Sequence, residues 1–366
     1  MPASNLDMHL ELGSQQPLIL GEEKDCEHGN VSLQKLSGYV MQGKQDIARL
    51  PTLTYSAKVN AIIKCILSAA EDVRGVEVRA FGSSANGFGD DSSDVDVVLA
   101  ATRASLVKTL DLPSCPERDL APRVLRKLEK KLREQGFRIL ERILGARVPI
   151  LKMSLRFQGQ DVECDLSVNN LLPVFNTKLL RTYAEINPHV VGLVQACKEW
   201  AKEYGVHGAA RGHLSSYSFT LMVIFFLQIR RDLPCLQESV PPEWYGENGE
   251  IYNVAMDTSA DFSKYAERSR PHLEDFVRFY RDEFLWGEWV VSIRKGKCLS
   301  HKSYPQLKKQ PRTGVTRSEI RYLIHIEDPF DISRNLHCVL GPGRNEQLWD
   351  AFMSTPAPQR RWHRSR

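Results

Sequence analysis

The sequence predicts an α+β fold, with a mixed sheet and flanking helices in the first part and a mostly helical second part. Three observations carry this. Strand-like alternation recurs between residues 76 and 168, interrupted by one strongly charged amphipathic helix. After Asn170 long helical patterns dominate, over 176–186, 190–204, 215–231 and 271–284. Two of the strands also carry carboxylates along one face, around Asp94 and Asp96 and again from Asp161 to Asp165.

The elements follow in order. Residues 1–45 have weak periodicity and are expected to be a partly disordered N-terminal extension. From Leu53 to Ala70, Val59, Ile62, Ile63, Ile66 and Leu67 recur at helical spacing, and Gly75 ends that helix. VEVRAF (76–81) alternates as a strand, runs into a Gly/Ser stretch, and is followed by the strand DVDVVLA. Residues 119–135 form a charged helix with Pro122 near its start. RILERIL, VPILKMSLRF and DVECDLSV then read as strands. A Pro/Gly/acidic connection over 232–263 is expected to be a long surface excursion. The domain boundaries expected are 46–172 for the sheet domain, 173–350 for the helical domain and 351–366 for a basic tail. A cleft between the two domains is the natural ligand site.

Composition excludes several classes. The chain has 366 residues, 42% hydrophobic and 26% charged, which is ordinary for a globular protein and long enough for two domains. No apolar run approaches the ~20 residues of a membrane span, and Phe219 to Ile229 reads as a buried core helix. Asp7, Glu11, Glu22, Glu23 and Asp25 fit neither a transit peptide nor a secretory signal. The eight cysteines form no C-x-x-C pair, which argues against a zinc site and for a reducing compartment. The expected location is cytoplasmic, with the nucleus as alternative. Net charge is only +4, but residues 294–312 hold seven Lys and Arg and no acid, and the tail QRRWHRSR is similarly basic. Each is either a solvated segment or a phosphate-contacting surface.

The carboxylates are the informative feature. Asp94 and Asp96 point the same way from a strand, about 7 Å apart. At that distance two charges repel by roughly 2 kcal/mol at an effective dielectric near 20. A fold tolerates this where a cation or water sits between them. In QDVECDLSV, Val162, Cys164, Leu166 and Val168 share one face, while Asp161, Glu163 and Asp165 share the other. A sheet edge accounts for the first two acids. Asp165 lies next to the apolar end and is the better partner for Asp94 and Asp96. Three converging carboxylates suit a hard divalent cation, Mg²⁺ or Mn²⁺.

The preceding loop supplies a complement. Gly82 and Ser83 follow a strand, and Ser84 to Phe88 could start a short helix whose backbone N–H groups bind phosphate. Triphosphate, metal and three carboxylates together are the arrangement for two-metal nucleotidyl transfer. Competing motifs fail. No G-x-x-x-x-G-K-[ST] is present, nor the kinase H-R-D and D-F-G set. An EF-hand from Asp90 fails because Val95 stands at the Gly position and Ala101 at the final Glu position.

The run F-G-S-S-x-N-G-F-G followed by S-D-V-D, with Asp165 about seventy residues on, resembles the DNA polymerase β-type nucleotidyltransferase superfamily. NTKLLRTY, CKEWAKEYG, LSSYSFTLMVIFFLQ, WVVSIRKG and IEDPFDISRN follow in order and resemble the cytoplasmic poly(A) polymerase and terminal uridylyltransferase family, over roughly residues 50 to 345. The resemblance implies a nucleotidyltransferase palm followed by a PAP-associated helical domain. It implies that Asp94, Asp96 and Asp165 hold the metals and that Asp165 helps activate an RNA 3′-hydroxyl. Gly82, Ser83 and Ser93 would contact phosphates, and Asn176 and Thr177 the ribose. Lys198 and Lys202, four apart on one helical face, would bind the triphosphate with Ser216. Tyr217 would stack on the base. Read without the family, the lysines are a solvated face and Tyr217 a core residue.

Base choice rests on the IEDPF segment, where Asp328 and Asp331 would face the base. Arg334 stands where several uridylyltransferases carry a His, and the usual N-V-G-R continuation becomes Asn335-Leu336-His337-Cys338. The resemblance favours transfer of UMP from UTP to an RNA 3′ end, with ATP close behind. A catalytically silent RNA- or partner-binding scaffold is the alternative from another class. No RNA-binding module is recognisable, so RNA contact falls to the cleft, the basic segments or an RNA-binding partner protein.

Overall fold

The computed structural model describes residues 53–89, 93–247, 250–266, 271–307 and 323–355, all within one compact unit. Helix α1 (Ala57–Ala69) opens it, with Ser56 accepting from the Val59 N–H as N-cap. Strand β1 (Glu77–Phe81) leads into a single turn, α2 (Ser83–Asn86), and then β2 (Val95–Ala100). Helix α3 (Arg103–Thr109) and helix α4 (Glu117–Glu134) follow. Helix α4 has acids in its first turn and Lys131 and Arg133 in its last, matching the helix dipole. Strands β3 (Arg138–Ile143), β4 (Ile150–Phe157) and β5 (Gln160–Val168) complete a five-stranded sheet.

The strand order is β1-β2-β5-β4-β3. β2 and β5 are parallel, and every other pair is antiparallel, so the sheet is mixed as expected. β2 is an inner strand, and its two faces enter different cores. Val95, Val97 and Leu99 pack with α1 and α4, through Ile62, Ile66, Leu125 and Leu128. Val98 and Ala100 pack into a second core built from the helical part. Asp96 has the parity of Val98, so it faces the helical part at the rim of that second core. The same alternation puts Cys164, Leu166 and Val168 of β5 in the first core and leaves Asp165 on the side of Asp96.

The helical part begins at α5 (Leu172–Ile186), directly after β5, and continues through α6 (His189–Glu203) and α7 (Ser216–Ile229). Helix α7 is apolar on every side, and Ser218 to Gln228 are all buried, as the sequence suggests. The helix expected over 271–284 is α8 (Leu273–Arg278), widened at its end into a π-helical turn, Phe279–Glu283. Helix α9 (Arg344–Ser354) closes the described chain.

Two expectations are corrected. The connection 232–263 is not only a surface excursion. It forms a hairpin, β6 (Trp244–Glu247) and β7 (Glu250–Asn253), that buries Tyr245 against Phe175, ring centroids 4.8 Å apart. Its apolar residues are spaced by turns, which hides the strands from a periodicity reading. The basic segment after 294 is also partly internal. A short parallel pair, β8 (Val290–Val291) with β9 (His325–Ile326), brings Glu327 beside it. Glu327 is buried and takes hydrogen bonds from Arg294 (2.6 Å), Ser292 (2.6 Å) and Gln306 (3.2 Å). Tyr304 and Leu307 are buried against Val290. Arg294 is thus committed to an internal carboxylate, and phosphate contact falls to other groups. Of the tail expected over 351–366, residues 351–354 belong to α9, with Ala351 and Phe352 buried, while 356–366 lie outside the described residues, as do 308–312 and the N-terminal extension.

Removing the guanidinium would leave the Glu327 charge buried. Arg294→Ala should lower the unfolding free energy in urea by about 3 kcal/mol or more. A loss below about 1 kcal/mol, as for an exposed ion pair, would return Arg294 to the surface.

Candidate active site

The parallel register of β2 on β5 places Asp96 directly opposite Asp165. Adjacent strands lie about 4.8 Å apart, so the two carboxylates share one region. Asp94, one residue before β2, has the same parity. The consequence is electrostatic. Burial pushes the Asp96 carboxyl up to about 7, the charges on Asp165 and Asp94 add to this, and Lys152 opposes it. The Asp165 carboxyl is raised as well, chiefly by burial, with Lys152 opposing and Asp94 and Glu163 adding. Lys152 stands opposite Asp165 in the antiparallel β4–β5 register, its Nζ 3.6 Å from the carboxylate.

The donor set fits a hard divalent cation. It offers only carboxylate oxygens, and without a cation one of them is held half-protonated near neutrality. It is not a closed cage: among the described residues no group of three or more His, Cys, Asp or Glu is arranged as a ready metal site. Mg²⁺ seldom uses all-protein cages and takes its remaining ligands from water and substrate phosphates.

Gly82 sits against this cluster. Its φ of 72° is in the left-handed region, and a Cβ there would collide with Asp96 Oδ2. Its N–H donates to the Thr177 hydroxyl at 2.9 Å, and that hydroxyl donates to Pro173 O at 2.8 Å. Thr177 is buried, so its geometry is that of a brace between α5 and the loop. Asn176 has a buried side-chain oxygen with no hydrogen-bond partner. The loop folds back on itself: the Gly89 N–H bonds Ser83 O at 3.1 Å, and the Ser93 hydroxyl lies against Gly89. At its end, Phe88 O accepts from Lys198 Nζ of α6 at 2.8 Å. That bond ties the lysine expected at the triphosphate to the loop expected at the phosphates.

Lys202 follows one turn later and is exposed. Both lysines act electrostatically on His207, whose Nε2 lies 2.9 Å from the Ser216 hydroxyl at the start of α7. Tyr217 is partly exposed and packs against the helical core, and its hydroxyl donates to Asp328 Oδ2 at 3.3 Å. Asp328 is buried, and its other oxygen accepts from the Phe330 and Asp331 N–H groups. Both its oxygens are therefore used within the protein. Asp331 accepts from the Ser333 hydroxyl and approaches Arg147, from the β3–β4 connection, at 3.9 Å.

The structure thus links Asp94, Asp96, Asp165, Gly82, Ser83, Ser93 and Lys198 through neighbouring contacts, and Lys198, Lys202 and Ser216 through His207. Tyr217, Asp328 and Asp331 form a second group beside them. Sequence reasoning missed Lys152, His207 and Arg147. Lys152 was legible in principle, as the one charge of ILKMSL at the parity that pairs with Asp165. His207 and Arg147 lie in loops, where no periodicity marks them.

A mixed sheet with an acidic pair on two parallel inner strands, a glycine loop packed on one acid and a lysine bonded to that loop is the arrangement of the nucleotidyltransferase fold. The chain belongs to the poly(A) polymerase and terminal uridylyltransferase family. Residues 4–185 match the central palm domain of the mitochondrial-like poly(A) RNA polymerases, and residues 272–334 match the Cid1 family poly(A) polymerase domain. Human terminal uridylyltransferase 7 is 34% identical over 297 residues, covering 78% of this chain and 18% of that protein. The zebrafish (Danio rerio) poly(A) RNA polymerase GLD2 is 31% identical over 280 residues, covering 75% of this chain and 52% of that one. The chain thus spans about half the length of GLD2 and under a fifth of the uridylyltransferase. The fold is that of the Cid1 poly(U) polymerase. Its structure with Mg and 3′-dATP superposes with a TM-score of 0.62 at 23% identity, covering 82% of this chain and 89% of that one. The complex with the UTP analogue UMPNPP gives a TM-score of 0.60 at 23% identity, covering 82% and 88%. No helix among the described residues is long and apolar enough to cross a membrane.

A carboxyl raised to about 7 destabilises the folded state once it ionises. Below the ordinary Asp value it is neutral in both states and costs nothing. The cost accrues as pH rises from about 4 to about 7 and is constant above. Asp96→Asn in EDTA should therefore be more stable than wild type at pH 8, by about 2–4 kcal/mol, and little different at pH 4. Urea unfolding at both pH values checks this. Equal stabilities at pH 8 would contradict it.

Proposed function

We propose that the chain transfers a nucleoside monophosphate from an NTP to an RNA 3′-hydroxyl without a template, with UMP favoured. The observation that carries this reading is the opposition of Asp96 and Asp165 across β2 and β5, with Gly82 packed against Asp96. Asp94, Asp96 and Asp165 would hold Mg²⁺ or Mn²⁺. Such a metal pair, when bound, lowers the pKa of the attacking hydroxyl and offsets charge on the pyrophosphate.

The remaining roles follow from the chain's own groups. Asp165 would orient the 3′-hydroxyl for in-line attack and accept its proton. Lys152, 3.6 Å away, favours the ionised form of Asp165 that this needs. Gly82, Ser83 and Ser93 would meet the triphosphate with backbone N–H and hydroxyl donors, and Gly82 permits close approach. Lys198, Lys202 and Ser216 would neutralise the β- and γ-phosphates as charge moves to the leaving group. Asn176 would contact the ribose through its unpartnered side-chain oxygen, and Thr177 would hold Gly82 in place.

Tyr217 would stack on the base, its ring oriented by the bond to Asp328. Asp328 then shapes base recognition through Tyr217, and Asp331 is the acid left at the rim. UMP is favoured because Asp328 and Asp331 resemble the acidic pair of compact uridylyltransferases, and because the uridylyltransferase relatives are the more identical group. The expected domains are a catalytic palm over 46–172 and a helical PAP-associated domain over 173–350. An RNA-binding partner protein and a cytoplasmic location complete the reading.

An extension assay tests it. Protein, Mg²⁺ and 5′-labelled single-stranded RNA are incubated with each NTP separately. A ladder with UTP is expected, abolished in Asp165→Ala and in Asp94→Ala/Asp96→Ala. A ladder with ATP alone would make the chain a poly(A) polymerase. A folded wild-type protein that extends with no NTP would favour a scaffold. Tyr217→Ala should raise KM for the NTP about tenfold, with a smaller change in kcat, because stacking binds ground and transition states alike. An unchanged KM would place Tyr217 in a purely structural role.

A further inference from the structure

His207 occupies a position that neither the sequence motifs nor the reading above explains. It lies in the loop between α6 and α7, which closes on itself through the Gly208 N–H to Leu214 O bond (2.9 Å) and the His213 N–H to Gly208 O bond (3.1 Å). Arg211 donates to His207 O at 2.7 Å. The imidazole is half-buried and stacks on Phe219 of α7 at a 20° interplanar angle. Its Nε2 is 2.9 Å from Ser216 Oγ.

Among the described residues, the charges that act on the ring are cationic. Lys202 and Lys198 of α6 act on it electrostatically, as do Arg211 and, when protonated, His213 of its own loop. His213 in turn has Arg344 of α9 near it. Burial and these cations hold the His207 imidazole below its ordinary value, so it is neutral near pH 7 in the free protein.

From this geometry we infer that His207 is a positioning residue that couples NTP binding to proton uptake and turns the Ser216 hydroxyl toward the triphosphate. The inference rests on the proposed placement of the triphosphate against Lys198, Lys202 and Ser216. In the neutral ring, Nε2 can accept the Ser216 hydroxyl proton, which points that proton away from any ligand. A bound triphosphate brings several negative charges among the cations and reverses the field that opposes protonation. The imidazole then gains a proton from solvent, and its Nε2–H donates to Ser216 Oγ. The Ser216 proton is released to donate to a phosphate oxygen. One proton is taken up from solvent and forms the Nε2–H bond, the Ser216 O–H bond stays intact and only turns, no bond between heavy atoms changes, and the ligand gains both a donor and a nearby cation.

The sign follows from linkage. A higher pKa in the complex than in the free protein means tighter binding at lower pH. Affinity falls as pH rises between the free and bound values, by up to about tenfold for each unit that separates them. The γ-phosphate and Asp96 release protons on binding, but they do so equally in a variant at position 207 and cancel in the difference.

The test is calorimetric binding of the non-hydrolysable α,β-imido analogues of UTP and ATP with Mg²⁺, without RNA. Buffers of different ionisation enthalpy report the protons exchanged. Wild type should take up a larger fraction of a proton than His207→Gln, which keeps a donor and acceptor at the reach of Nε2 but does not titrate. His207→Gln should also show the flatter dependence of affinity on pH between 6 and 8. A second readout needs no folded variant: in wild type, the histidine identified by its ring contact with Phe219 should titrate below the ordinary range alone and higher with the analogue. Equal proton uptake in both proteins, or an unmoved titration of that histidine on binding, would overturn the inference alone. Failure of both analogues to bind would overturn the nucleotide site and this inference with it.

Discussion

The register of β2 on β5 is the constraint on which the rest depends. A parallel pair in this alignment sets Asp96 against Asp165, and no rotamer can take two such carboxylates fully apart. A one-residue slip would relieve the repulsion, but it would also turn Val95, Val97 and Leu99 out of the core they share with α1 and α4. The apolar faces thus hold the acids together against their own electrostatics. Burial, with neighbouring acids adding, raises both the Asp96 and the Asp165 carboxyls. Local cost at a place the surrounding core over-determines is a mark of a functional site.

The two cores explain where the site lies. β2 is buried on both faces, so the only positions on it open to a ligand are at its N-terminal end, where Asp94 and Asp96 stand. Helix α5 starts four residues after β5 and sends Thr177 to brace Gly82. Helix α6 sends Lys198 to the far end of the same loop. The loop is therefore held at both ends by the helical part, with acids on one side and cations on the other. Such a division of charge suits a substrate that is itself a polyanion carrying metal.

Much of this was legible in the sequence. The alternating strands, the apolar helix around Phe219 to Gln228 and the common face of Asp94, Asp96 and Asp165 follow from residue spacing, because both core faces are apolar and the periods are clean. The hairpin over 244–253 was not legible, since its strands are four residues each and their apolar residues do not alternate regularly. The basic run after 294 misled because charge in a sequence says nothing of a partner that arrives from β9, as Glu327 does. Asp328 likewise reads as an open acceptor until the fold shows both its oxygens engaged. His207 acquires meaning only when the loop brings it to Ser216.

The sheet forces charge together at Asp96, and a bound divalent cation would relieve it. Carbon-13 NMR of aspartate-labelled protein measures this directly, with the Asp96 carboxyl resonance assigned by its loss in Asp96→Asn. The Asp96 titration midpoint should lie near 7 in EDTA, as burial and the neighbouring acids require, and should fall as Mg²⁺ is added. A midpoint in the ordinary Asp range without metal, or one that Mg²⁺ leaves in place, would contradict it.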